Sequence, residues 1–251
     1  MPTFTHRISV VAITACALTT ARVQAQTLNQ LTAAERAAGW RLLFDGKSLD
    51  GWHGLGSTQM PPGLWTVEDG AIVRVPNRSA PTQAAGIDLI SDSAFQNFEL
   101  AWEWKIAPRG NSGLKYNVSE ELSTQMAPPH AAKGWEYQML DDSLAEDNKP
   151  ASHRSGALYD MFPPSDPHAV KPAGEWNSSR LVFVGSHGEH WLNGIKVVSF
   201  DLGTPAADSA FKKSKYAKYP RWFPLRRKGQ IVLQDHDAGV SFRNIRIREI
   251  Q

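Results

Sequence analysis

One cysteine, Cys16, is all that this chain of 251 residues contains, and it falls in an N-terminal stretch that reads as a targeting segment. His6 and Arg7 precede an apolar run over residues 8–18, and Val23-Gln24-Ala25 offers a small-residue cleavage site, which is the pattern of a secretory signal. That run is too short to cross a membrane, and no later run approaches the roughly 20 apolar residues a membrane helix needs. Ile13-Thr14-Ala15-Cys16 also has the form of a bacterial lipoprotein box, which leaves Cys16 as a lipidated N-terminus in a second reading. Cleavage after Ala25 is the preferred reading. Both predict an exported protein, periplasmic or extracellular, with no transmembrane segment. Removal of residues 1–25 leaves 251 − 25 = 226 residues without cysteine, which excludes disulfides and thiolate metal sites. Stability must then come from a hydrophobic core, and residues 26–251 are expected to form a single domain.

An excess of charge of either sign is lacking as well. Lys and Arg number 27 against 25 Asp and Glu, and Arg7 and Arg22 precede the cleavage site, so residues 26–251 balance at 25 against 25. A nucleic-acid binder shows a clear basic excess, so no nucleic-acid partner is expected. One basic cluster stands out: residues 212–228 hold eight Lys and Arg interleaved with Tyr216, Tyr219, Trp222 and Phe223. In a balanced chain this reads as a solvated loop with anchoring aromatics rather than a surface for single-stranded nucleic acid.

Helical periodicity is scarce. Thr32 and Glu35 are spaced as a capping box, and Gly39 follows an Ala-rich run, so one short helix is predicted over residues 32–38. Beyond residue 40 only a turn or two near residues 206–213 looks helical. Strand signals fill the rest. Phe98, Leu100, Trp102, Trp104 and Ile106 alternate without a break with Glu99, Ala101, Glu103 and Lys105, the period of a strand with one buried face. Residues 109–113 read as a turn, with strands at 114–118 and 135–140. Asp69-Gly70 and Asn193-Gly194 sit between apolar runs as hairpin turns. Further strands are expected at 180–184, after a turn through Ser186 and Gly188 at 190–192, and then at 195–200, 231–236 and 242–250. Residues 141–172 read as long functional loops around a short strand at 156–159. These patterns predict an all-β fold, a sandwich of two antiparallel sheets.

Three strands carry polar faces. In residues 135–140, Glu136 and Gln138 point one way and Trp135, Tyr137 and Met139 the other. Lys115 and Asn117 oppose Leu114, Tyr116 and Val118, and Gln234 pairs with His236. A carboxylate and an amide two residues apart can bind sugar hydroxyls or position an acid and a base; a solvated strand face has the same pattern. Nine Trp suit both a large β core and stacking on sugar rings.

The ordered set of motifs resembles a known family. Leu43-Phe44-Asp45-Gly46-Lys47-Ser48-Leu49-Asp50-Gly51-Trp52, Gly110-Asn111-Ser112-Gly113, Glu136-Tyr137-Gln138-Met139-Leu140-Asp141, Ser155-Gly156-Ala157-Leu158-Tyr159-Asp160, Gly174-Glu175-Trp176-Asn177, Trp191-Leu192-Asn193-Gly194 and Leu233-Gln234-Asp235-His236, followed by Phe242-Arg243-Asn244-Ile245, look like the 3-keto-disaccharide hydrolase domain family. The resemblance runs from about residue 39 to the C-terminus. It implies a concanavalin A-like β-sandwich, or jelly roll, in an exported bacterial protein whose carbohydrate substrate is a glycoside oxidised to a ketone at C3. Such a ketone acidifies the C2 proton, so removal of that proton, β-elimination at C1 and hydration give net hydrolysis. The implied base and acid are Glu136 and His236, in either order. Lys115 or Arg243 would stabilise the enolate, and Asn111, Gln138, Asp141, Tyr159 and Gln234 are further substrate-binding candidates. Asp237 departs from the family, which has Gly after the His.

No cofactor is specified. Glu136, Asp141, Asp142, His153 and His236 are donors of the kind that hold Ca²⁺, Mn²⁺ or Zn²⁺, although their spacing forms no compact ligand motif. His153, His168, His187 and His190 are expected at the surface, His153 being the one most worth testing. A non-catalytic carbohydrate-binding module is the competing function. A two-carboxylate glycosidase fits less well, because Gln138 stands where such a strand carries its middle Asp and no second Glu follows. Sugar, linkage and oligomeric state are left open.

Overall fold

The computed structural model describes residue 1 and residues 27–58, 63–76, 87–127, 131–220, 223–225, 227–236 and 238–250. The signal segment, the lipoprotein box, Trp222 and Asp237 lie outside the described residues. In chain order the strands are β1 (Arg41–Leu42), β2 (Trp52–Gly54), β3 (Trp65–Glu68), β4 (Ala71–Arg74), β5 (Leu89–Gln96), β6 (Phe98–Ile106) and β7 (Asn111–Val118). They continue as β8 (Trp135–Leu140), β9 (Asn177–Val184), β10 (His187–Leu192), β11 (Ile195–Asp201), β12 (Lys228–Leu233) and β13 (Val240–Glu249). Short helices α1 (Ala33–Ala37), α2 (Glu120–Gln125) and α3 (Pro205–Lys213) lie between them.

The strands form two antiparallel sheets. The larger runs β11-β10-β9-β6-β13-β4-β3 with β1 paired to β13, and the smaller runs β2-β5-β12-β7-β8. Between them lies one core in which Phe98, Trp102, Trp104 and Phe183 from the large sheet meet Leu114, Tyr116, Tyr137 and Leu233 from the small one. Trp102 stands edge-on to Tyr137 at 4.9 Å and Tyr116 lies 5.6 Å from Phe183. Truncating a buried aromatic in such a core costs about 3–5 kcal/mol. The alternation in β6 is the reason: its even-numbered residues are apolar, and its odd-numbered face carries Glu99 and Glu103, paired with Arg180, Arg248 and Arg243 on neighbouring strands.

Local signals act as their chemistry dictates. Thr32 and Glu35 close a reciprocal capping box on α1. Asp69 and Gly70 both have positive φ, 50° and 72°, and Asn193 and Gly194 likewise, 49° and 85°, as a tight turn between twisted strands requires.

Five expectations need correction. Residues 111–113 belong to β7, because their backbone pairs with β8 rather than folding back. Residues 156–159 form isolated bridges of Leu158 to Tyr137 and Phe162, not a strand. Helix α2, capped by Ser119, was not expected. Gly188 lies in β10, paired with Phe183 and Phe200, and not in the preceding turn. His190, expected at the surface, is completely buried between Tyr116 Oη at 3.1 Å and the Gly156 carbonyl at 3.0 Å, and burial lowers its pKa to about 4.

Candidate active site

The outer face of the small sheet is polar where β7 and β8 meet. Their register sets Lys115 opposite Glu136 and Gly113 opposite Gln138. Since Leu114, Tyr116 and Tyr137 are committed to the core, alternation sends Lys115, Glu136 and Gln138 to the other side, where all three are nevertheless buried. Glu136 is only 2% exposed, and its Oε2 accepts a hydrogen bond from Lys215 Nζ at 2.5 Å. Room for it comes from Gly113. A Cβ there would stand 2.7 Å from Glu136 Oε1 and 3.1 Å from Gln234 Oε1, so the missing side chain is the space that the Glu136 carboxylate occupies.

Asp88, just before β5, organises the rest. Its Oδ2 accepts from Lys115 Nζ at 3.2 Å and from the Ala132 amide at 2.7 Å, and its Oδ1 accepts from the Asp235 amide at 2.8 Å. The Gln234 amide donates to the Gly113 carbonyl at 2.9 Å, Ser112 Oγ donates to the Gln234 carbonyl at 2.9 Å, and Asp235 forms a buried ion pair with Arg74 of β4 at 2.7 Å. These contacts fix the arm that carries His236. Gln234 and His236 are therefore not two positions on one strand face, as alternation suggested; they lie beyond the end of β12 at Leu233.

Electrostatics follow from this packing. Burial pushes the Glu136 carboxyl up, but Lys215 and then Lys115, with a smaller effect from His236, more than offset it, so its pKa lies below the ordinary value and the group is ionised at neutral pH. Burial likewise opposes charge on Lys115, yet Asp88 and Glu136 outweigh it and hold its pKa above the usual lysine value. Lys133 goes the other way, lowered to about 8 by burial and by repulsion from Lys115.

A cavity of about 540 Å³ adjoins this cluster, lined by Arg109, Asn111, Glu146, Asp147, Tyr159 and His236 among others. Lys215 Nζ, bonded to Glu136, lies 4.1 Å from the centre of the Tyr159 ring, and Gln138 Nε2 donates to Asn111 Oδ1 at 3.2 Å, so the buried cluster and the cavity share a wall. Gln138 Oε1 and Gln234 Oε1 are buried acceptors with no hydrogen-bond partner among the described residues. Buried acceptors are rarely left unpaired, so two sugar hydroxyls suit them well.

Thus Glu136, Lys115, Asn111, Gln138, Tyr159, Gln234 and His236 come together, and others do not. Arg243 lies in β13 of the opposite sheet, bonded to Glu103 at 2.7 Å with its guanidinium 3.9 Å from the Trp176 ring centre. Asp141 is consumed by turn amides, accepting from the Arg109 amide of the β6–β7 turn at 2.7 Å and from the Ser143 and Leu144 amides of its own loop. Asp142 holds Ser155, and His153 stacks behind Tyr159. With these donors engaged apart, no three His, Cys, Asp or Glu among the described residues converge as a metal would require. Sequence reasoning missed Lys215, Asp88 and Gly113. Lys215 sits in the basic, aromatic-interleaved stretch that was expected to be a solvated loop, and that interleaving was its only signal.

Residues 39–248 match the model of a family described as a 3-keto-alpha-glucoside-1,2-lyase-like domain. The chain belongs to this family. Among its relatives is the 3-keto-disaccharide hydrolase of Bacteroides thetaiotaomicron, 34% identical over 244 residues that cover 90% of this chain and 83% of that protein. Two solved structures from Parabacteroides distasonis, each provisionally named a glycosyl hydrolase, have the same fold. The first is 32% identical with a TM-score of 0.75, covering 90% of this chain and all of the other; the second is 28% identical with a TM-score of 0.62, covering 84% and 99%. Family membership spans both sheets, so the lyase-like domain comprises the whole sandwich together with the cavity.

Proposed function

We propose that this protein is an exported enzyme that cleaves 3-keto-glycosides, with Glu136 as the base that removes the C2 proton. The observation that carries the reading is a buried, ionised carboxylate held between two ammonium groups beside a sugar-sized cavity. The family and the named activity of the Bacteroides relative support the substrate class. In the forward step the C2–H electron pair becomes the C2=C3 bond of an enolate, and the carbonyl pair moves onto O3. Lys215 and Lys115 supply the positive charge that this oxygen needs, in a buried setting where such charge acts strongly. The enolate then re-forms the ketone as the C1–O1 bond breaks, and His236 protonates the departing oxygen. Water adding at C1, with a proton returned to C2, completes hydrolysis; release before that addition yields the enone. Because the two lysines do the work of a cation, the reading requires no divalent ion. Export rests on the N-terminal segment alone.

Glu136→Gln tests this directly. Loss of a positioned base costs about 10²- to 10⁴-fold in rate, so a folded Glu136→Gln protein should lose most turnover of a 3-keto-glucoside. Wild-type turnover by that variant removes Glu136 from the chemistry. If the wild-type protein binds the oxidised glycoside and never releases the aglycone, a binding module is the better description. For export, the mass of the native protein should begin at Gln26; a diacylglycerol-modified Cys16 would establish the lipoprotein form instead.

A further inference from the structure

Outside the residues assigned above, His153 has contacts that are more ordered than a surface histidine needs. Its Nδ1 lies 2.7 Å from Asp147 Oδ1 and its Nε2 3.3 Å from Asp160 Oδ1. Each of these carboxylates uses its second oxygen on a residue at the site. Asp147 Oδ2 accepts from Tyr159 Oη at 2.9 Å, and Asp160 Oδ2 accepts from the Lys215 amide at 2.6 Å. The imidazole itself stacks on the Tyr159 ring at 4.3 Å and 25°, while Lys215 Nζ lies 4.1 Å from the centre of that ring. Lys215, Asp160, His153, Asp147 and Tyr159 thus make a closed circuit, joined by four polar contacts and a cation–π contact.

We propose that His153 is a positioning residue that locks Lys215 over Glu136 and fixes Tyr159 at the cavity wall. The circuit connects three segments that the sheets do not hold together: the loop bearing Asp147 and His153, the loop bearing Tyr159 and Asp160, and the turn after α3 that carries Lys215. Backbone bonds anchor the middle segment on both sides, from the Tyr159 amide to the Glu136 carbonyl at 3.0 Å and from the Asp160 amide to the Ser152 carbonyl at 3.0 Å. Asp160 has φ of 61°, a left-handed conformation that costs energy in a residue with a side chain. That conformation persists where the surroundings over-determine it, and here both of its carboxylate oxygens are engaged. The Lys215 side chain is about one-third exposed, so its own surroundings confine it weakly. Without the circuit it has many rotamers to choose from, and the cation beside Glu136 is lost for much of the time.

The proposal rests on the catalytic reading above, and its test separates the two. Asn at position 153 can imitate Nδ1 and keep Asp147, whereas Gln can imitate Nε2 and keep Asp160. With a 3-keto-glucoside as substrate, His153→Ala should lower kcat about tenfold to a hundredfold, the scale of a misplacement near 1 Å. His153→Gln should recover much of that kcat, and His153→Asn should recover KM more than kcat. Amide hydrogen exchange in residues 211–220 is read alongside, and it should accelerate in His153→Ala because the Lys215 amide loses its ordered acceptor. Unchanged exchange overturns the positioning role whatever the kinetics show, as does wild-type kcat and KM in His153→Ala. Faster exchange combined with a wild-type protein inert toward every 3-keto-glycoside supports the positioning role and sinks the catalytic reading instead.

Discussion

Gly113→Ala is the sharpest probe of where the chemistry sits. Its added Cβ would lie 2.7 Å from Glu136 Oε1 and 2.9 Å from Glu136 Cγ, against about 3.4 Å for an ordinary contact, so the carboxylate must retreat by 3.4 − 2.7 = 0.7 Å. Gly113 does not occupy the left-handed region, so backbone strain contributes nothing and the perturbation is steric. A displacement approaching 1 Å at a reacting group costs up to about 10²-fold, and kcat/KM toward a 3-keto-glucoside should fall roughly tenfold to a hundredfold on that basis. Overpacking of this kind costs about 1–3 kcal/mol, which at about 2–4 °C per kcal/mol in a chain of this size lowers the melting midpoint by roughly 2–12 °C. Steady-state kinetics and a thermal melt measure both. In the Gly113→Ala, Glu136→Ala double variant the stability losses should be less than additive, because the clash partner is gone. A Gly113→Ala enzyme with wild-type kcat/KM would mean that Glu136 can move without consequence, and the argument for it as the base would fail.

Three further outcomes are expected. The acidic limb of the rate profile, if set by Glu136, should lie below 4.5, the ordinary carboxyl value in that setting, and the stability that Glu136 contributes should vanish as pH falls through the same depressed pKa; Lys215→Met should move the limb upward, because burial then acts with less opposition. Between about pH 8 and 10.5, an unfolded Lys133 holds a proton that the folded chain has released, so stability should rise with pH in that window and Lys133→Met, followed by thermal unfolding, should flatten that rise. Arg243→Met should leave turnover intact, since Arg243 belongs to the opposite sheet, and urea titration should show a loss of about 1–2 kcal/mol, because its ion pair with Glu103 is half-buried and its guanidinium lies over the Trp176 ring.

Much of the fold was legible because one sheet face is buried and the strand period is 2. The unbroken alternation of residues 98–106 placed β6, and the Asp69-Gly70 and Asn193-Gly194 pairs placed two hairpins. Alternation also separated Glu136 and Gln138 from their core-facing neighbours. It misled at Gln234 and His236, where β12 stops at Leu233 and a tethered arm takes over. At Arg243 the type of side chain suggested an enolate partner, whereas pairing across β13 and β6 assigned it to Glu103. Lys215 was hidden for a physical reason: it lies 79 residues from Glu136 along the chain, and the bond between them depends on how a segment after α3 folds across the sheet. A charge seen only in a basic run gives no sign of which carboxylate it will meet. Gly113 was quoted in a motif, but its value as empty space emerges only when the Glu136 side chain is in view.

The buried Arg74–Asp235 pair ties the arm bearing His236 to the far sheet, with exposures of 1% and 0%. Removing one partner of such a pair typically costs about 3–5 kcal/mol, a large fraction of what holds a domain together. Replacing Arg74 or Asp235 alone would therefore strand a buried charge at the joint between the two sheets, whereas replacing both with apolar residues of similar volume could leave the sandwich intact while freeing the arm.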